Sequence, residues 1–454
     1  MHKPSVHNTL AKVSRLFATL VCALLVMLAA CKAPQPQPRP RQSGPIVDVC
    51  EGEPGVKLVT MGVGSLIWER HGHIALCTCG DGGRRDACYN YGIGDFAKPL
   101  DRAWGVLRGE DSFWVGKMHP VQMIAIYQLA DRTVWVQDLP LTPAQEAKVV
   151  AKLESDILEE NKHYSYDHFW DNCTTRVRDI IDDATGGAIA SMTNLTDDRT
   201  FRDLAREGFL GMRIPLLVTD IGMNRNTDRV PTYWERMFLP DYLREAVEAK
   251  WNVKPRVMYQ RKGPPSLKEL EKALADPTLT PDARAKLHAQ YDAIENMPSG
   301  RVVFALLVLA LTAPAWLTRM WGKLQRTGLA VAVIPAAVLG LVLYALTVIS
   351  PLPYFMRWNE ALLCLMPFDI LLLFLPTDKR RLYARGRVIM LGLVAALLLI
   401  NVFKAPIWPV WLWGLIPNLV VGFWRDRSAA VAGQGAGRIV SGAGEVKRKA
   451  RSRP

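Results

Sequence analysis

The feature that most constrains this chain is its change of character near residue 300. Beyond that point five apolar runs follow closely, at 302–318, 327–350, 359–376, 388–403 and 407–424. Each approaches the roughly 20 residues that a helix needs to cross a bilayer. Residues 301–425 are therefore expected to form an all-α bundle of about five transmembrane helices. Their flanking charges are lopsided. Arg319, Lys323 and Arg326 lie between the first two runs, and Lys379, Arg380, Arg381, Arg385 and Arg387 between the third and fourth. Eight more basic residues follow the fifth, whereas the other two loops hold only Arg357 and Lys404. Lys and Arg accumulate on the cytoplasmic side, so these basic segments, the 426–454 tail included, are expected there. Everything before residue 300 then faces outward.

The same segments account for the basic balance of the whole protein. They hold sixteen Lys and Arg against Asp378, Asp426 and Glu445, an excess equal to the formal net charge of +13. The exported region is near neutral, so the charge reflects topology and no nucleic-acid partner is expected. The other end of the chain agrees. His2, Lys3, Lys12 and Arg15 precede an apolar run over 16–30, the layout of an export signal. It closes Leu28-Ala29-Ala30-Cys31, which resembles a bacterial lipobox with Cys31 as the lipidated residue; an uncleaved anchor is the alternative. Residues 1–31 are thus read as signal, and the Pro- and Gln-rich 32–46 as an extended tether.

Between tether and membrane, strand-like alternation at 57–61, 73–77, 88–91, 122–129 and 133–139 gives way to helical patterns. Ala130-Asp131-Arg132 is expected to close a hairpin between the last two. Thr142-Pro143-Ala144-Gln145 starts a helix with a capping box, and further helices are expected from Ser266 and Thr280. Strands first and helices after indicate an α+β domain over 47–255, with membrane-proximal helices over 256–300.

Cysteine usage singles out one position. Cys50, Cys77, Cys79 and Cys88 are even in number and close in sequence, and in an exported domain they form two disulfides in any of three pairings. Cys173 is left over. It follows Asp171 and Asn172, both helix N-cap types, and precedes Val177, Ile180, Ile181 and Ala184 at helical spacing. A thiol in a first helical turn faces free N–H groups and the positive end of the helix dipole, which favour the nucleophilic thiolate. A cysteine hydrolase or acyltransferase also needs an imidazole. His71 and His73 open a strand in which His73, Ala75 and Cys77 share a face, so His73 is the expected base. The histidines His71, His73, His163 and His168 lack the fixed spacing of a zinc site, so neither metal nor cofactor is expected.

The strings W-E-R-H-G-H-I-A-L from Trp68, C-Y-N-Y-G-I-G-D-F from Cys88, Y-S-Y-D-H-F-W-D-N-C-T-T-R-V-R-D from Tyr164 and W-E-R-M-F-L-P-D-Y-L from Trp234 resemble the Lnb-type N-terminal periplasmic domain. The resemblance covers about 55–250. His71 departs from it, standing where Phe or Trp is expected, so two imidazoles lie side by side. The resemblance implies a permuted papain-like (NlpC-like) fold with His before Cys. It also implies acyl transfer from a phospholipid to the N-terminal amine of diacylglyceryl lipoproteins at the inner membrane, with the catalytic domain in the periplasm. In that scheme Cys173 is the nucleophile, His73 the base, Asn90 or a flanking Tyr orients the imidazole, and Tyr166 joins backbone N–H groups around the oxyanion. Asn172, Asp167 and Tyr91 line the substrate. A cell-wall amidase or endopeptidase, and a membrane-anchored binding protein with a structural Cys173, are the competing readings.

Overall fold

A computed structural model describes residues 46–80, 86–95, 99–110, 113–194, 197–265, 267–295, 300–352 and 357–424. The signal, Cys31, the 426–454 tail and all of the tether except residue 46 lie outside the described residues. The chain divides into two compact units: one holds the described residues up to 300 together with 346–358, the other 301–345 and those from 359.

The first unit is built on β1 (Gly55–Met61), β2 (His73–Cys79) and β3 (Ala87–Ile93). Helix α1 (Pro99–Arg108), β4 (Phe113–Met118), α2 (Pro120–Leu129) and β5 (Val134–Asp138) come next. Then follow α3 (Pro143–Asp156), β6 (His163–Tyr164) and α4 (Cys173–Ala184). Helices α5 (Phe201–Glu207), α6 (Arg213–Gly222), α7 (Tyr233–Arg236) and α8 (Pro240–Trp251) precede β7 (Arg256–Tyr259). Helices α9 (Leu267–Leu274) and α10 (Pro281–Glu295) complete the unit.

The strands form one antiparallel sheet in the order β6-β4-β3-β2-β1-β5-β7. Alternation assigns its faces. Val56, Leu58, Ile74, Leu76, Tyr89, Tyr91 and Val115 pack with Val177, Ile180 and Ile181 of α4, Val149 and Leu153 of α3, and Leu243 and Val247 of α8. Val59, Met61, Ala75, Cys77, Val134 and Val136 pack on the other face with Met123 and Ile124 of α2. Burying each of the three α4 side chains stabilises the fold by about 1.5–3 kcal/mol, which holds the Cys173 helix to β2 and β3. The disulfides are Cys50–Cys79 and Cys77–Cys88, the latter joining directly opposite residues of β2 and β3.

Two sequence expectations are corrected here. The strand read over 122–129 is helix α2, so no hairpin lies at 130–132. His119 caps it by accepting from the N–H of Val121, and Pro120 occupies the first turn, where its missing N–H costs nothing. Short apolar runs fit either period, and here the cap decides. Strand β7, in the stretch expected to be helical from 256, adds to the sheet beside β5.

In the second unit, α11 (Gly300–Trp321) and α12 (Gln325–Ile349) are long and apolar enough to cross a membrane. The third expected span is broken instead. A four-residue helix, α13 (Ala361–Cys364), is followed by a 3-10 turn (Pro367–Leu373). Pro367 has no N–H to continue a helix, and it pushes the residue before it out of the helical region. Helix α14 (Thr377–Leu399) qualifies as a span, but it begins in the basic stretch read as a loop. Helix α15 (Trp408–Phe423) has 16 residues, about 24 Å at 1.5 Å per residue. Among the described residues, three candidate membrane spans therefore stand where five were expected.

Candidate active site

Helix α4 begins as its sequence requires. Asn172 is the N-cap, and its Oδ1 accepts from the N–H groups of Thr174 at 2.8 Å and Thr175 at 3.0 Å. Thr175 Oγ1 accepts in return from the N–H of Asn172 at 2.8 Å, completing the capping box. The Asn172 amide then donates to the carbonyls of His168 at 2.6 Å and Phe238 at 2.9 Å. Every polar group of this buried side chain is engaged. Asn172 thus shapes the helix start as the cap its residue type predicts.

Cys173 is the first residue of α4 and is a free thiol. The backbone N–H of Ile74 donates to its sulfur, which places the thiol beside the head of β2, the strand that His73 opens. Burial pushes the thiol above its ordinary range; contacts with Thr174, the Ile74 N–H and the charge of Arg132 act in the opposite direction without overcoming it. The helix start therefore does not by itself make a resting thiolate.

His73 Nε2 lies 3.2 Å from Asn90 Oδ1. The strand register that sets Ala75 opposite Asn90 brings the two side chains to one sheet face. Asn90 is buried and its amide donates to Met123 Sδ at 3.2 Å, so its oxygen is the atom facing the imidazole. With Nε2–H donating to that oxygen, Nδ1 carries the lone pair. Tyr127 of α2 stacks on the ring at 5.8 Å between centroids. Burial, reinforced by the charge of Arg132, drives the imidazole down to about 3, so it is neutral at physiological pH. His71 turns elsewhere: its Nε2 lies 2.8 Å from the carbonyl of Ala205, and its ring meets His168 and Phe209 edge-on. Gly72 separates the two at φ +81, where an added Cβ would meet the Met61 carbonyl at 2.9 Å.

Two further groups escaped the sequence reading. Arg132 is 4% exposed and donates from Nε to the carbonyl of Gly62 at 2.7 Å, with its guanidinium 4.9 Å from the centre of the Tyr127 ring. Its charge acts on both His73 and Cys173, and among the described residues no carboxylate forms an ion pair with it. Tyr127 responds to the charge of Cys173, which marks the same locality. The sequence signal was present in a basic residue beside an apolar run, but the assumed hairpin placed Arg132 in an exposed turn.

Tyr166 stacks on Phe113 at 4.7 Å and also responds to the charge of Cys173. The remaining expected ligands face inward. Tyr91 is fully buried and donates its hydroxyl to Asp156 at 2.8 Å. Asp167 accepts from the N–H groups of Phe169 at 2.8 Å and Trp170 at 3.1 Å, shaping the turn before α4. Tyr91 thus supports the fold from inside, and Asp167, only part-buried, holds the turn through Oδ1.

Residues 55–206 match the family model described as the Lnb N-terminal periplasmic domain, and helices that could span a membrane follow it C-terminally. No curated protein and no solved structure matches the chain.

Proposed function

We propose that this protein is a cysteine-dependent acyltransferase that moves an acyl chain from a phospholipid to the N-terminal amine of a membrane lipoprotein. The single observation that carries the reading is the thiol of Cys173 at a capped helix start, beside the strand whose His73 is oriented by Asn90. That arrangement lies within the segment matching the Lnb domain. The order of His strand before Cys helix fits a permuted papain-like fold. The apolar helices fit an inner-membrane protein whose catalytic domain faces the periplasm, where both lipid substrates reside.

In the first half-reaction His73 Nδ1 takes the Cys173 proton as the sulfur attacks the ester carbonyl carbon of the donor. The tetrahedral oxyanion collapses, the ester C–O bond breaks, and the proton passes to the departing lysophospholipid oxygen. A thioester remains on Cys173. In the second, the lipoprotein amine attacks that thioester and gives up a proton to His73, and the C–S bond breaks to leave an amide. The thiol is then restored. The neutral imidazole offers a lone pair in both halves; burial makes it a weak base at rest, so it takes each proton only as the sulfur or nitrogen bonds to the acyl carbon. The Asn172 cap engages the N–H groups of Thr174 and Thr175, so the N–H of Cys173 is the main-chain donor to the developing oxyanion.

Acyl-thioester trapping tests the reading. The full-length protein in phosphatidylethanolamine vesicles should gain a hydroxylamine-sensitive acyl mass on Cys173. Cys173→Ala and His73→Ala should abolish it, and His71→Ala should retain most of it. Absence of the adduct in the unaltered protein, with cleavage of cell-wall peptides instead, would establish the amidase reading. A dead His71→Ala beside an active His73→Ala would reverse the assignment of the base.

A further inference from the structure

We infer that Tyr164 is the side-chain donor to the oxyanion formed at Cys173, held in that role by Arg176. The inference rests on acyl transfer through Cys173 and names a catalytic residue for it. Tyr164 closes the sheet on β6, directly opposite Phe113 of β4, so its backbone is fixed by the strand pair. The residue is 5% exposed, and its hydroxyl is buried without a hydrogen-bond partner. A buried unpaired hydroxyl is costly, which makes such a group a marker for a missing ligand. The neighbouring tyrosines show the contrast: Tyr91 donates to Asp156 at 2.8 Å and Tyr89 to Glu154 at 2.5 Å.

The free hydroxyl points toward the nucleophile. At Gly92, where β3 breaks register against β4, a Cβ would stand 3.6 Å from Tyr164 Oη and 3.7 Å from Cys173 Cβ. The missing side chain leaves a gap flanked by those two atoms, and Gly92 holds φ +82 to create it. Arg176, one turn along α4 from Cys173, sets its guanidinium 3.8 Å from the centre of the Tyr164 ring. Asp171 fixes that guanidinium through bonds of 2.5 and 2.9 Å. A cation over the ring face holds the phenol in place and draws density from it, making the O–H a better donor. Burial keeps the phenol protonated. It donates a hydrogen bond to the carbonyl oxygen as negative charge develops there, and no proton changes hands.

The test compares the unaltered full-length protein with Tyr164→Phe and Tyr166→Phe, using two acyl donors: phosphatidylethanolamine vesicles and p-nitrophenyl acetate. Iodoacetamide alkylation of Cys173 serves as a control, because displacement at carbon forms no oxyanion. Tyr164→Phe should slow thioester formation about 100-fold with both donors, the usual loss for one oxyanion donor. Alkylation should stay within twofold, and Tyr166→Phe, the donor expected from the sequence, should lose less acylation than Tyr164→Phe. Acylation within threefold of normal in Tyr164→Phe would overturn the inference. So would parallel loss of acylation and alkylation, which marks a structural role, or a larger loss in Tyr166→Phe. If the unaltered protein reacts with the nitrophenyl ester but not the lipid, the phospholipid reading fails while Tyr164 is still judged by the ester. If neither donor yields a thioester, both fall.

Discussion

At the residue scale the thiol of Cys173 sits between opposing influences. Burial raises it, while Thr174, the Ile74 N–H and Arg132 favour its charged form. Tyr127, Tyr164 and Tyr166 face it as neutral phenols, and His73, driven down to about 3, supplies no positive charge. The resting pair is therefore thiol and imidazole rather than thiolate and imidazolium. Iodoacetamide alkylation of Cys173 should climb steadily from pH 6 to pH 9, with a midpoint above the ordinary thiol value of about 8.5. No imidazole limb should appear between pH 4 and 8. A rate already flat from pH 5 would show a preformed ion pair and contradict this picture. The cap and the free thiol at the helix start were legible in the sequence because their signals are local, within four residues of Cys173. The Asn90 partnership needed only strand register. Arg132 and Tyr127 were hidden because their place depends on how α2 and β5 fold back, a long-range fact. Tyr91 lies in the string of Asn90 and Asp167 in that of Cys173, and proximity in sequence said nothing about their partners.

At the scale of elements, the misread segments share one cause: an apolar run gives its burial more readily than its period. The run at 122–129 became a helix under the control of His119 and Pro120. The run at 359–376 broke at Pro367. Breaking a helix among apolar spans exposes carbonyls that lipid cannot satisfy; Tyr344 donates its hydroxyl to the carbonyl of Leu362 at 3.2 Å, and one guanidinium takes the next two. Arg387 of α14 donates to the carbonyls of Leu363 at 3.0 Å and Cys364 at 3.1 Å, closing the end of α13. The same guanidinium pairs with Asp369 at 2.7 and 2.9 Å, and Tyr383 adds a hydroxyl bond to that carboxylate at 2.9 Å. Removing one member leaves an uncompensated buried charge, which costs about 3–5 kcal/mol. Arg387→Met should therefore lower the thermal midpoint of the detergent-solubilised protein sharply. Arg385→Met, whose side chain has a carbonyl bond to Gly422 and a ring contact with Phe423 but, among the described residues, no ion pair, should be much milder. Equal effects of the two substitutions would remove Arg387 from this role.

At the scale of the whole molecule, function depends on which side of the membrane each segment occupies, and charge and geometry bear on this separately. Within the helical unit Arg319, near the end of α11, donates to the Trp424 carbonyl at 3.4 Å, and Arg385, early in α14, to Gly422 at 3.1 Å. The end of α11, the start of α14 and the end of α15 thus gather together, and these are the segments whose basic residues favour the cytoplasm. For α12 and α14 to alternate correctly, the broken 359–376 segment must still carry the chain across. A periplasm-only reporter should therefore be active when fused after Leu352 and after Lys404, and silent after Pro454. Activity after Leu352 with silence after Lys404 and activity at the end would mean that the broken segment dips in and returns on the same side. Silence at both internal positions with activity at the end would invert the molecule. Cys173 would then lie in a reducing compartment, the two disulfides would lose their oxidising surroundings, and the site would be separated from mature lipoproteins. Acyl transfer to those substrates would then be impossible.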